Sequence, residues 1–598
     1  MTQRLWVAAC LGLAMAAGAE ARVFTVGPHG SYANIQAGVD AALAAGGDAE
    51  VKVERGLFKG PVVAVVPEGQ TLALTGGWDA RFTAQGPVDP EHPEALGTHT
   101  LIDGRGSRPV VQLQARGTLA FRRFSLTGGG TAGAAHLPVA LSGRAEASGR
   151  LLILQNVIWG SHVATTGPGA GIVYVNVLDQ SSLQLTGNWI QDNSLESITP
   201  GSHANGGTWI WVDQQAHAEV LRNQVLRNVV RAPGQANSAA MNLDVRKDAH
   251  ARVEDNVFAG NRAESASGEG YGMVELRVGQ PNVGGTPSLE ADRNQIYGNV
   301  LASSGEAQLD LVVAGGRLQL SNSLVADGNG DGIQASLRDG AEMHLSNLTV
   351  TGQAGAGLRG ADGADLANSL FFDNGSDLVG TPRESHNLYG VDPLFLDPTR
   401  HNYRLGPGSP AIDRGSDADA RGPLDGYGET RRVGTVDVGA DEAPYVDGEP
   451  ACRTFLPDLA VDASAPVCRC VIHLDLREAR CAFLGPDVFV DLRLPLYWKA
   501  GEALRVPVTL HPWRAVEAPY AMSMEAKVEG QWLPQPWLGP TTPGLKLGQL
   551  VVEPFEVRLP AKGRTPLRGL LKYQRLGDPN PFRLGFEIVA GDPNPQPN

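Results

Sequence analysis

From Ser31 to Phe58 the chain reads SYANIQAGVDAALAAGGDAEVKVERGLF, and the period of its apolar positions changes halfway. Ile35, Val39, Ala42 and Leu43 fall on one face of a helix that Gly46-Gly47 ends, and Val51, Val53 and Leu57 then read as a strand. For roughly four hundred residues after that, helical periodicity is almost absent. Short alternating apolar runs replace it, separated by Gly, Asn and Asp. One phrase returns among them: LQNVIWGS at Leu154, TGNWIQDNS at Thr186, LRNQVLRN at Leu221, EDNVFAGN at Glu254, DRNQIYGN at Asp292, LSNSLVADGN at Leu320, LSNLTVTG at Leu345 and LANSLFFDN at Leu366. Its anchoring asparagines are Asn156, Asn188, Asn223, Asn256, Asn294, Asn322, Asn347 and Asn368, standing 32, 35, 33, 38, 28, 25 and 21 residues apart.

A repeat of this length predicts coils of short strands, none of which can bury its inner face alone. Stacking buries a continuous apolar column and pairs the strands in parallel, while asparagine at the same turn of each coil can form a hydrogen-bonded ladder. An open end would expose strand edges, so the helix around Ile35 to Leu43 is expected to cap the first coil. The phrases YANIQAGVDAA…VKVERGLF, LTGGWD at Leu74 and TLIDGRG at Thr100 resemble the opening of the right-handed parallel β-helix (pectin-lyase-like) superfamily. VDPLFLDPTRHNYRLGPGSPAIDRG…VGTVDVGADE, from Val391 to Glu442, resembles the end of secreted bacterial β-helix proteins. The resemblance implies an all-β, right-handed parallel β-helix (solenoid) with an N-terminal capping helix. It leaves activity open, because the superfamily hosts polysaccharide lyases, glycoside hydrolases, esterases, adhesins and inert scaffolds.

Four regions follow. Residues 1–21 read as a signal peptide, with Arg4 before the apolar run Leu5–Ala17 and a small-x-small site at Ala19-Glu20-Ala21. Val7-Ala8-Ala9-Cys10 resembles a lipoprotein box but stands too early. Residues 22–442 form the β-helix and 443–451 a linker. Residues 452–598, where prolines rise and the asparagine phrase disappears, read as a small β-sandwich-like domain. Cys452, Cys468, Cys470 and Cys481 cluster there, and in an exported protein two disulfides are expected, in any of three pairings. A zinc site is the competitor, weakened by the Cys-x-Cys spacing. Gly 75 and Pro 40 in 598 residues suit a turn-rich β structure. A net charge of −15 without a basic stripe argues against nucleic acid. No run beyond the signal reaches membrane-span length, so a secreted or periplasmic, cell-surface monomer is expected.

In a β-helix, ligands are expected on an outward strip of one sheet. Matching WIWVDQQAHAEVLRN at Trp209 to NLDVRKDAHARVEDN at Asn242 gives one column of Asn176, Trp211, Asp244, Arg277 and Asp310. A second column holds Tyr174, Trp209, Asn242, Glu275 and Gln308, and apolar Val175, Ile210, Leu243, Leu276 and Leu309 point inward. Aromatic rings suit sugar faces, and amides and acids suit sugar hydroxyls. The strip therefore predicts binding of polysaccharide or a cell-surface glycan, with Tyr174, Asn176, Trp209, Trp211, Asn242 and Gln308 as contacts. Asp244 with Asp310 or Glu275, beside Arg277, could add the acid and base of a hydrolase. A plain reading competes: Asp244, Arg277 and Asp310 as a salt-bridge ladder in an adhesin or spacer. A polyuronate lyase would draw its base from Arg246, Lys247, Arg252 or Arg277, though no lyase signature is present. No cofactor is expected. Calcium has weak support in DGNGDG (Asp327–Gly332), which has Arg338 where a chelating Glu belongs, and in Asp413, Asp417 and Asp419. His217 over His250 lacks a third metal ligand.

Overall fold

The computed structural model describes residues 21–443, apart from 108, 131–138, 167–168, 269, 271, 303–304, 407–408 and 433, together with the backbone of nine strands between Cys468 and Val589. The chain divides into two compact units, Met1–Gly390 and Val391–Asn598. In the first, strands of two to eight residues pair in parallel from coil to coil and build three long sheets of 13, 11 and 12 strands. This is a parallel β-helix. Its inner face is aliphatic: on the 11-stranded sheet Val175, Ile210, Leu243, Leu276 and Leu311 stack one above another, all buried.

Helix α1 (Ile35–Ala45) buries Ile35, Val39 and Ala42 against the first coils. Asn34 opens it by accepting from the Ala37 N–H at 2.9 Å, and Gly46 closes it. Gly38 is required by close approach, since a Cβ there would lie 2.5 Å from Val26 Cγ2. The Gln36 amide meets the edge strand Val62–Val66 and exchanges two hydrogen bonds with the Val63 backbone, at 2.8 and 2.9 Å. That side chain takes the place of a neighbouring strand at an otherwise open edge.

The asparagine ladder exists. Asn156, Asn188, Asn223, Asn256 and Asn294 are buried, and the Nδ2 of each of the first four donates at 3.0 Å to the Oδ1 one coil on. A second ladder, not anticipated, runs five residues later through Asn193, Asn228, Asn261 and Asn299. The last three anchors depart from expectation. Asn322, Asn347 and Asn368 sit at φ of 48°, 53° and 50°, the left-handed position that Arg222, Asp255 and Arg293 hold in earlier coils. Ser323 and Ser369 take over the ladder. Asparagine tolerates left-handed backbone better than most residues, so the same letter serves two adjacent positions.

Two shorter parallel sheets widen the middle coils. One holds His162–Thr165, Ser194–Ser197, Val229–Ala232 and Arg262–Ser265; the other holds Gly169–Ala170, Ala204–Asn205 and Ala236–Asn237. Beyond Asn299 the coils shorten: successive ladder positions from Asn256 through Asn294, Ser323, Leu348 and Ser369 to Asn387 stand 38, 29, 25, 21 and 18 residues apart. The parallel strands continue to Tyr389.

In the second unit, residues 391–443 form an antiparallel pair (Phe395–Asp397 with Asn402–Leu405) and a knot of buried charge. Arg431 is fully buried and donates to the carbonyls of Ala440, Asp437 and Gly439. Arg404 pairs with Glu429 beside Asp441. Beyond 467 the described strands form antiparallel sheets of five and four, and backbone register sets Cys470 opposite Cys481. The cysteine side chains, the expected signal peptide up to residue 20 and most of the expected linker lie outside the described residues.

Candidate functional site

The outward strip lies on the 11-stranded sheet. Tyr174, Trp209, Asn242 and Glu275 stand side by side on consecutive strands, as do Asn176, Trp211, Asp244 and Arg277. One coil later the expectation fails. Asp310 is the neighbour of Glu275, and Val312 follows Arg277, an offset of 35 residues where 33 was assumed. Alternation fixes only which face a residue points to, so a slip of two preserves every inward residue and escapes the pattern. Gln308 consequently leaves the strip. It is buried and exchanges hydrogen bonds of 2.9 Å with Asn299, at the end of the second ladder.

The aromatic end is half-buried and largely self-engaged. Tyr174 and Trp209 meet edge to face at 5.3 Å. The Arg246 guanidinium lies 4.0 Å over the Trp211 ring while it grips both carboxylate oxygens of Asp244 and reaches Gln280 at 3.0 Å. Ion pairing therefore runs along the strand, from Asp244 to Arg246 and from Glu275 to Arg277, rather than across strands. Glu275, at 1% exposure, also accepts from Asn242 and, at 3.5 Å, from Ser238. Burial raises its pKa, opposed by Arg277.

Beyond the tryptophans the sheet opens into a cleft of about 730 Å³. Asp244, Arg246, Arg277 and Asp310 line it, as do Gln280, Gln334, Ser336, Arg338 and Glu306. Three carboxylates and three guanidiniums thus face one space together with amides and a hydroxyl. Asp310 differs from the other acids, with no side-chain hydrogen bond among the described residues. Burial, then the Glu275 charge, pushes its pKa up to about 7 against the pull of Arg277. Glu306, 5% exposed, was not foreseen. Parity could not have found it, since Gln308 in GEAQLD shares the parity of Glu306 and Asp310 and yet turns inward.

The other candidates disperse. Lys247 pairs with Asp213 at 3.3 Å, and Arg252 lies on the 13-stranded sheet between Glu219 and Glu254. His217 does stand over His250, which bonds Ser288 at 2.7 Å. Asp331 of DGNGDG is held by Arg359 and the Ala356 N–H. Asp413 and Asp417 accept from the backbone of Thr435 and Val436. Among the described residues no group of three or more His, Cys, Asp and Glu is arranged to hold a metal, and no helix is long and apolar enough to cross a membrane.

No family model matches the chain, and no curated protein matches it. Among solved structures it is similar to the catalytic unit of a thermostable GH87 alpha-1,3-glucanase from Streptomyces thermodiastaticus, at 12% identity and a TM-score of 0.21, over 63% of this chain and 69% of that one. It is also similar to tailspike protein gp49 of Acinetobacter baumannii bacteriophage Fri1, a capsular polysaccharide depolymerase, at 9% identity and a TM-score of 0.20, over 96% of this chain and 79% of that one. Neither likeness bears on activity; the architecture rests on the parallel sheets themselves.

Proposed function

We propose that the protein is exported and binds polysaccharide in the cleft on its 11-stranded sheet, with Trp209 and Trp211 at one end. The cleft carries the reading: an outward groove of about 730 Å³ whose acids, guanidiniums, amides and hydroxyl are the groups that recognise sugar hydroxyls. It reaches from Asp244 to Ser336, three strand spacings or about 14 Å along the helix axis, enough for a short run of sugars. A disulfide-linked carboxy-terminal domain would serve such a protein as an attachment or second binding module.

Hydrolysis is the second reading, favoured by Asp310, an acid in the cleft that is half protonated near neutral pH. A lyase is less favoured, since Arg246, Lys247, Arg252 and Arg277 each hold a carboxylate. The test is a glycan-array and depolymerisation screen of the mature protein beside Gln334→Ala with Ser336→Ala. Binding that falls at least tenfold in the double variant supports the cleft. Binding unaltered by it would move the ligand elsewhere, and no binding at all would sink the carbohydrate reading.

A further inference from the structure

The two ends of the cleft differ in how their charges are used. Toward the tryptophans, Arg246 holds Asp244 and reaches Gln280, and Arg277 holds the buried Glu275. Each guanidinium there is already matched by a carboxylate. The strand Asp331–Arg338 is built otherwise. Its alternate residues Gln334, Ser336 and Arg338 line the cleft, while Ile333 and Ala335 point inward and are buried. None of the three makes a side-chain hydrogen bond among the described residues, and Arg338 forms no ion pair with any of them, its neighbour Asp339 included.

The register shows what surrounds that guanidinium. Arg338 pairs with Ala314, Ala314 pairs with Gly279, and Arg246 directly follows the Val245–Val278 pair. Arg246 and Arg338 therefore stand at the two ends of one row, three strand spacings or about 14 Å apart. Gly279 and Ala314 keep the row low between them and leave room for a sugar ring. The acids lie to one side. Asp310 pairs with Gln334, four residues or about 13 Å back along the strand, and Glu306 is farther still in that direction. Burial also keeps Asp310 about half protonated near neutral pH. The Arg338 end thus carries a positive charge that no acid of the cleft is paired with.

We propose that this end of the cleft recognises the negative group of an acidic glycan, a uronate carboxylate or a sulfate ester, with Arg338 as its ion partner and Ser336 as a hydroxyl donor. The inference rests on the polysaccharide reading of the same cleft and adds the charge of the polymer. A guanidinium offers parallel N–H groups to a carboxylate or sulfate, so it orients the sugar as well as attracting it. Ser336 stands two residues from Arg338 on the same strand face, about 7 Å, so both can reach one sugar unit. Gln334, two residues beyond, is left for hydroxyls. The whole chain, at a net charge of −15, repels a polyanion at a distance. A preference for acidic polymers must therefore come from contact inside the cleft.

The experiment titrates the mature protein by calorimetry, at about 0.15 M salt, with two matched pairs of polymers. One is a polyuronate beside the same polymer with its carboxylates reduced to alcohols; the other is dextran sulfate beside dextran. The wild type is expected to bind an acidic member about tenfold or more tighter than its neutral counterpart, and the pair that shows the difference tells carboxylate from sulfate. Arg338→Gln should erase the preference, and Arg338→Lys should keep part of it. Arg317→Gln, an exposed arginine on the 13-stranded sheet, is the control and should change nothing. Thermal melting verifies each fold. Equal binding of acidic and neutral members, binding of neutral members alone, or a preference that survives Arg338→Gln would overturn the proposal and leave the polysaccharide cleft standing. No binding of these polymers or of any glycan in the screen would overturn both.

Discussion

Asn223 makes four hydrogen bonds with its side chain. Its Oδ1 accepts the N–H and the amide of Asn188, both at 3.0 Å, and its Nδ2 donates to the Leu185 carbonyl at 2.8 Å and to Asn256. Asn223→Leu keeps the size and strands those partners in a dry interior, at a cost of about 2–4 kcal/mol. Denaturant unfolding should show the loss, and a midpoint equal to wild type would deny the ladder its role. Asp310 behaves oppositely. Its pKa of about 7 lies above the ~3.9 of an exposed aspartate, so burial favours the protonated form. Its share of stability is therefore complete below about pH 4 and is lost as pH rises through 7. Asp310→Asn cannot ionise, so its Tm should rise relative to wild type between pH 4 and pH 8; a difference independent of pH would refute the shift. Residue identity was legible where one letter has one use. It was ambiguous at Asn322, Asn347 and Asn368, where ladder and left-handed turn both accept asparagine.

Helix α1 sets two effects against each other at Gly38. Alanine there gains up to about 1 kcal/mol of helix propensity, but its Cβ would meet Val26 Cγ2 at 2.5 Å, and overpacking costs about 1–3 kcal/mol. Packing wins, so Gly38→Ala should lower the melting temperature; a rise would mean that the helix can lift from the first coil. In the 391–443 segment, Arg431→Gln removes the fork that gathers three carbonyls and leaves buried acids without their cation. Loss of about 3–5 kcal/mol of local stability is expected, read as faster hydrogen exchange there while the coils keep wild-type protection. The helix and the strand faces were readable from apolar spacing alone. The two-residue slip at Asp310 was not, because a strand pattern records parity and loses count inside a loop such as the one before Glu306. Nor was the Arg431 knot, whose buried charges look in sequence like an ordinary polar turn.

The solenoid was legible as a whole because its cause is a repeat, and repetition survives errors in any one coil. The cleft was half legible: its sheet, the acids Asp244 and Asp310 and the arginine Arg277 were found, while Glu306 and the downstream Gln334 and Ser336 were not. Those residues belong to coils that have lost the perimeter of their predecessors, where an alignment built on longer coils runs out. That narrowing has a consequence for any polymer seated there. Toward the long coils the cleft ends at Asp244, beside the half-buried Trp211, whereas toward the short coils the sheet runs on past Ser336 to the strand Ala356–Gly360. The two directions along the axis are thus inequivalent, like a quay with deep water on one side only. A glycan longer than the cleft must trail toward the narrow end, and the position of its blocked end would decide which of its bonds lies over the acids.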